Sequence, residues 1–258
     1  MGKSERRRYP TEDENASSYD ALAYEHIADE YYDPLLHPTC LNFRNASVKA
    51  IGKLKLPSRE PKMVVDLGAG KSILPELTIG YKKAILVDSS INMIKHSSFL
   101  CTEQSQLIHM IVADAWQLPF DNGTFDLIII SLGDPFNLPP LWEEVSRIMK
   151  ASGVCMFTTP SYDWATRFRW RERDEVMDRA LFLKRSAEKR FVPSFIWNKA
   201  TQDVMFKEAD LVVREITSVT VSEIIKPISW KLLIDGGELS VVTGYIVEKR
   251  CRGLTSPR

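Results

Sequence analysis

The 258-residue chain has no surplus of either charge: 34 Lys and Arg stand against 34 Asp and Glu, and the pI is near 6.9. That excludes a broad polyanion-binding surface, because affinity for phosphates rests on an excess of cationic side chains. A nucleic-acid or anionic-membrane partner would have to be met by a local patch. Cysteine is scarce and scattered. Cys40, Cys101, Cys155 and Cys251 stand 61, 54 and 96 positions apart, so no CxxC pair offers a zinc or redox site, and free thiols in a cytoplasmic protein without a metal are expected. No apolar run is long enough to cross a membrane. Arg6, Arg7 and Arg8 are followed by no apolar segment, so no signal peptide is expected, and Arg6 stands where myristoylation requires Ser or Thr.

What is present is an ordinary soluble composition, 44% hydrophobic and 26% charged, enough for one large core. Residues 1–18 mix Arg, Glu, Asp, Ser and Pro and are expected to form a flexible arm, as are residues 251–258 at the other end. Residues 19–250 are expected to form a single domain. Its preface, 19–60, reads as a helix from Tyr19 ended by Asp33-Pro34, then a second helix over about Thr39 to Leu54. Short apolar runs follow at Met63–Leu67, Ala84–Asp88, Ile108–Val112, Phe125–Ile130 and Val154–Thr159, with helical stretches over about 91–100 and 141–150 between them. Two further β-rich runs, Leu211–Val221 and Ser240–Lys249, lack a clear intervening helix. The prediction is a Rossmann-like α/β fold: a doubly wound, seven-stranded sheet, mostly parallel, with an antiparallel edge hairpin at the C-terminal end.

Ligands of such sheets bind beyond the carboxyl ends of the strands. After the first strand stands Asp66-Leu67-Gly68-Ala69-Gly70-Lys71-Ser72, whose glycines allow a sharp turn and close backbone approach to a ligand. The segment is not a phosphate loop, because the first glycine of GxxxxGK[ST] would have to stand where Val65 is. Nor is it a dinucleotide fingerprint, because the third glycine of GxGxxG is replaced by Ile73. Asp88 ends the second strand, placed to accept ribose hydroxyls, and Asp114 follows the third, placed to accept an exocyclic amine. Two glycines and these acids suit a nucleoside that carries an amino acid instead of a phosphate.

With Val64-Val65-Asp66-Leu67-Gly68-Ala69-Gly70, Leu86-Val87-Asp88-Ser89-Ser90 and Ala113-Asp114-Ala115-Trp116-Gln117-Leu118-Pro119-Phe120-Asp121 in order, the chain resembles the class I S-adenosylmethionine-dependent methyltransferases. The Leu-Pro-Phe-Asp run is most similar to the broad subgroup that methylates small molecules and quinone rings. The resemblance is close over about residues 63–160. It implies S-adenosyl-L-methionine as cofactor, with Asp66, Gly68, Ala69 and Gly70 at its methionine end and Asp88 and Ser89 at the ribose. Asp114 and Ala115 would hold the adenine, and Ser131 and Leu132 would stand near the transferable methyl. One departure is Lys71-Ser72-Ile73, where the family often has Thr-Gly.

The acceptor is less legible. From Trp164 to Arg190 nine basic residues face five acidic ones, interleaved with aromatics, so 161–195 reads as an insertion covering the substrate. Most such charge runs are solvated helical faces; the functional alternatives are an anionic small molecule or, ranked lower, RNA or DNA. Related enzymes use the front helix as a lid, which makes Tyr19, Tyr31 and His37 candidates to shield the methyl, with Tyr31 and His37 candidates for catalysis. Gly133-Asp134-Pro135-Phe136 matches poorly the signature of base-amine methylation and reads as a loop. The expectation is methyl transfer to an O or N atom of a small molecule, with a nucleic-acid enzyme or a non-catalytic cofactor-binding partner as alternatives.

Overall fold

The computed structural model describes residues 23–56, 60–103, 107–171, 178–233 and 238–250. In chain order the elements are α1 (Pro38–Lys53), β1 (Met63–Leu67), β2 (Lys83–Asp88), α2 (Ile91–Ile94), α3 (Ser98–Glu103), β3 (Ile108–Val112) and β4 (Phe125–Ile130). Then follow α4 (Pro139–Ile148), β5 (Met149–Pro160), α5 (Tyr162–Arg171), β6 (Arg179–Leu183), β7 (Lys189–Pro193), α6 (Lys199–Glu208), β8 (Leu211–Thr220) and β9 (Ser240–Lys249).

Seven strands form one sheet in the order β3-β2-β1-β4-β5-β9-β8. The first five run parallel, and β9 lies antiparallel to both β5 and β8. Strand alternation sends Val65, Leu67, Ile128 and Ile130 to one face, against Trp142 and Phe206. Val64, Leu86, Leu127 and Ile129 go to the other, against Ile51 of α1 and Leu54 just after it. Burial on both faces is why these strands read as continuous apolar runs. On the first face a buried polar chain joins α4 to α6: Trp142 Nε1 donates to Asn137 Oδ1 at 3.0 Å, and Asn137 Nδ2 donates to Gln202 Oε1 at 2.8 Å.

The predicted doubly wound sheet is present, with its strand order reversing between β1 and β4. The antiparallel C-terminal pair stands at the sheet edge as expected, with β9 joined to β5 and β8 outermost. Two local expectations change. The described part of the front segment, 23–36, is a run of turns instead of a regular helix. Its backbone bonds mix three-residue and four-residue closures, Ile27 N to Tyr24 O and Tyr31 N to Ile27 O. The insertion is not one helical cap: it contains α5 and then the two-stranded sheet β6–β7. There Phe182 and Val192 are buried while Leu183 and Phe191 are exposed, a period of two that Ala187, at φ 65°, lets turn back on itself. The expected terminal arms, 1–18 and 251–258, and Tyr19 lie outside the described residues.

Phe182 and Val192 pack with Ala23 and Ile27 into a small separate core, so the 23–36 strap and the β6–β7 sheet form one roof. Polar contacts tie that roof down. Glu25 accepts from Ser90 Oγ and Asn92 N, and Lys184 Nζ donates to the His26 carbonyl at 2.9 Å. Under the roof lie the carboxyl ends of the parallel strands.

Candidate active site

The turn after β1 is shaped by its two glycines. Gly68 has φ 65°, and a Cβ there would lie 2.6 Å from the Phe136 ring; Gly70 has φ 44°, and a Cβ there would lie 2.2 Å from the Tyr32 hydroxyl. Both are required by conformation and by crowding. The Gly70 amide donates to Asp88 Oδ2 at 2.9 Å, and Ser90 N donates to Asp88 Oδ1 at 2.9 Å, so the end of β2 is clamped to the turn after β1. Behind the turn, Ser72 Oγ donates to Asp66 Oδ2 at 2.6 Å, while Asp66 Oδ1 is buried without a hydrogen-bond partner. Burial pushes the Asp66 carboxyl up to about 7 and Asp88 up to about 6, since desolvation disfavours the ionised form.

A cavity of about 100 Å³ opens over this turn, at the point where strand order reverses. Of the residues singled out in the sequence, it brings together Gly68, Ala69, Asp88, Ser89, Asp114, Ala115, Ser131 and Leu132. Asp66 and Gly70 are not in its wall. They shape the turn from behind. Asp114 Oδ1 accepts from Trp116 N at 2.9 Å, which fixes the turn after β3. Ser131 Oγ shares a hydrogen bond of 2.7 Å with Ser47, which shares another of 2.7 Å with Thr158. Thr158 Oγ1 in turn accepts from Leu132 N at 2.9 Å, holding Leu132 at φ 55°. A non-glycine residue at positive φ is uncommon, and here it stands at a ligand-facing strand end.

Sequence reading missed most of the roof. Tyr24 and Tyr32 line the cavity beside Tyr31, with Tyr32 accepting from Lys71 N at 2.8 Å. Phe136, from the loop predicted after β4, closes the side over Gly68. No spacing rule links residues 24–32 to residues 68–71; only the fold does. The tyrosines narrow the space well below the ~300 Å³ of an ordinary ligand pocket. The walls otherwise fit a nucleoside: a turn that carries no Cβ at Gly68, a carboxylate at the end of β2, and a second after β3.

A second cavity of about 510 Å³ adjoins the first, and Tyr24, Tyr31, Cys40 and Leu132 line both. Its wall is aromatic, with Phe43, Trp164, Phe168, Phe182 and Trp230, and it includes His37 and Lys231. His37 stacks on Phe182 at 4.0 Å, with Nε2 buried, unbonded and 3.8 Å from Glu30 Oε2. Burial lowers the His37 pKa below the usual imidazole value, with Glu30 acting in the opposite sense. Burial also drives the Tyr31 phenol far up and the Cys40 thiol to about 12, so both keep their protons.

The arginine-aromatic insertion divides on folding. Its aromatics Trp164, Phe168 and Phe182 enter the second cavity, but none of its arginines lines it among the described residues. Arg179 pairs with Asp178, Arg185 with Asp33 and Arg190 with Glu188. The side chains of Arg169 and Arg171, and the whole of Arg173, lie outside the described residues. Also among the described residues, no group of His, Cys, Asp and Glu could hold a metal, and no helix is long and apolar enough to cross a membrane.

Fold and site together define a doubly wound α/β protein with a cavity at the strand ends and a second, apolar chamber against it. Residues 64–153 match the family model of a methyltransferase domain. The chain is 31% identical over 104 residues to a demethylmenaquinone methyltransferase of Mycolicibacterium gilvum, covering 38% of this chain and 43% of that protein. It is 32% identical over 112 residues to a malonyl-[acyl-carrier protein] O-methyltransferase of a Marinomonas species, covering 41% of each. It thus spans less than half the length of these curated relatives. Among solved structures, a chain of the complex between the Haloferax volcanii Trm112 methyltransferase activator and a methyltransferase shares the fold. That match has a TM-score of 0.63 at 18% identity, over 87% of this chain and 97% of that one. Over residues 64–153 the chain is thus similar to a methyltransferase domain, and over most of its length it shares the fold of a solved methyltransferase.

Proposed function

We propose that the protein transfers the methyl group of S-adenosylmethionine to an O or N atom of a small molecule held in the aromatic chamber. The observation that carries this reading is the shared wall: the two cavities meet at Tyr24, Tyr31, Cys40 and Leu132. A donor in the first and an acceptor in the second are thereby brought face to face. The sulfonium supplies an electrophilic methyl whose departure needs no acid. The protein's task is to align the acceptor at about 3 Å and keep water away, which accounts for much of the acceleration in such reactions.

Asp88 accepts the ribose hydroxyls through lone pairs left free by its two backbone bonds. The Gly68–Gly70 turn lies under the amino-acid end, and Asp114 and Ala115 hold the base. Tyr24 and Tyr31 exclude water at the boundary. His37, kept neutral by burial and with Nε2 unbonded, takes the proton of an acceptor hydroxyl or amine at that nitrogen. The ion-paired arginines of the insertion leave little free cationic surface for a polynucleotide among the described residues.

Calorimetric titration with S-adenosylhomocysteine tests the cofactor half. Micromolar binding by the intact protein, strongly weakened in Asp88→Ala, is expected; absence of binding by the intact protein would overturn the reading. His37→Gln tests the base: turnover should fall, most steeply near neutral pH, while S-adenosylhomocysteine affinity stays the same. Undiminished turnover would remove His37 from the mechanism.

A further inference from the structure

The aromatic chamber contains a cation that has no counter-charge among the described residues. Lys231 is half-buried, with its ammonium 4.8 Å from the centroid of the Phe168 ring and 5.9 Å from that of Trp230. Among the described residues no carboxylate forms an ion pair with it. The chamber's own acid, Asp134, accepts from Ser194 Oγ at 2.6 Å. Glu30, close to His37, pairs with Lys184 instead. The position of Lys231 is enforced: its carbonyl accepts from Trp164 Nε1 at 3.0 Å, and its backbone amide donates to Ser229 Oγ. The Lys231 charge reaches His37 and Cys40, opposing protonation of the first and favouring ionisation of the second, as expected of an ammonium that faces the chamber.

A partly desolvated ammonium held on aromatic faces gains about 1 kcal/mol from them, too little to replace the water it gives up. An anionic group on a ligand would complete its environment. Lys231, Trp230 and Phe168 line the chamber but not the cofactor cavity, whereas Tyr31 and Cys40 line both. The charge therefore sits away from the boundary where the methyl would be received.

Resting on the methyltransferase reading above, we propose that the acceptor is a small apolar acid. Its hydrocarbon or aromatic body lies on Trp164 and Phe168, and its anionic group is bound by Lys231. The anion is a handle and not the methylated atom. A chamber of about 510 Å³ holds one molecule of such size, within the range of ordinary ligand pockets.

The test uses naphthoate and naphthamide, which share a ring system and differ in charge. Each is titrated into the full chain saturated with S-adenosylhomocysteine, and quenching of Trp164 and Trp230 fluorescence is read. Naphthoate should bind at least about tenfold more tightly than naphthamide, the size of one well-placed charged hydrogen bond. In Lys231→Gln the two should bind alike, at the naphthamide level, and Lys231→Arg should restore the preference. Equal binding to the intact protein would overturn the proposal. So would a preference that survives in Lys231→Gln, or failure of both probes to bind a protein that binds S-adenosylhomocysteine. If S-adenosylhomocysteine does not bind, the methyltransferase reading fails separately. The naphthoate preference, measured without it, still decides whether the chamber takes an apolar acid.

Discussion

The two cavities are built by different means. The first is made of strand ends: a glycine turn, one carboxylate after each neighbouring strand, and backbone groups held by the sheet's hydrogen bonds. The second is made of side chains from segments far apart in the chain. Phe43 comes from α1, Trp164 and Phe168 from α5, Phe182 from β6, and Trp230 and Lys231 from the stretch between β8 and β9. A strand-end site leaves its mark in a short motif, because the residues that bind also make the turn. A chamber assembled from four such segments leaves none. The difference also separates roles, since the first cavity can stay fixed in chemistry while the second is varied by changing single side chains.

That separation can be broken from either side. The largest effect is expected from Trp164→Ala. Trp164 is buried, stacks on Phe168 at 5.1 Å and meets Phe43 edge-on at 4.8 Å, so truncation should cost about 3–5 kcal/mol of stability. Thermal unfolding would read this loss. Below the transition, S-adenosylhomocysteine binding should be nearly unchanged if the cavities are independent.

Gly68→Val should do the reverse. A β-branched residue at φ 65° facing Phe136 at 2.6 Å should weaken S-adenosylhomocysteine by about 100-fold, as ~3 kcal/mol of strain implies, with naphthoate binding in the chamber preserved. Retained cofactor affinity would show that the turn is not the cradle.

A third prediction concerns pH. Asp66 and Asp88 have folded pKa values, about 7 and about 6, above the 3.8 of an ordinary Asp, so the folded state binds more protons than the unfolded one between about pH 4 and 7. Their stabilisation is fully present below pH 4 and is lost as pH rises through 6 and 7. The ligand-free protein should therefore melt a few degrees higher at pH 5.5 than at pH 7.5. Asp66→Asn, which still accepts from Ser72, should flatten that slope. A melting temperature that rises toward pH 7.5 would contradict the buried, poorly solvated carboxyl. The carboxylates with lowered values, such as Asp126 beside Lys150 and Glu144 beside Arg147, weaken the fold only at lower pH and do not mask the effect.

The smallest change is expected from Tyr32→Phe, which removes the hydroxyl that accepts from Lys71 N and crowds Gly70. One hydrogen bond of about 1 kcal/mol should alter S-adenosylhomocysteine affinity several-fold. Faster association would mark Tyr32 as part of the barrier to entry, and identical kinetics would place the barrier elsewhere on the strap.

The sequence by itself determined the sheet and the strand-end cavity. Val64-Val65, Leu86-Val87 and Ile128-Ile129-Ile130 had to be buried on both faces, and Gly68, Gly70, Asp88 and Asp114 follow those strands directly. Local rules were enough there because covalent spacing fixes where each residue falls on the sheet. Tertiary structure alone decided which strap residues cover the turn, that Asp66 braces it from behind, and that β9 enters between β5 and β8. It also decided that Trp164, Phe168 and Phe182 of the insertion turn inward while Arg179, Arg185 and Arg190 turn to acids. Those outcomes depend on contacts between residues such as Tyr32 and Gly70, or Lys231 and Phe168, whose separation along the chain bears no relation to their distance in space. The near-perfect balance of charge excluded a broad anionic partner, but only the folded chamber singled out Lys231 as a cation with no acid beside it among the described residues.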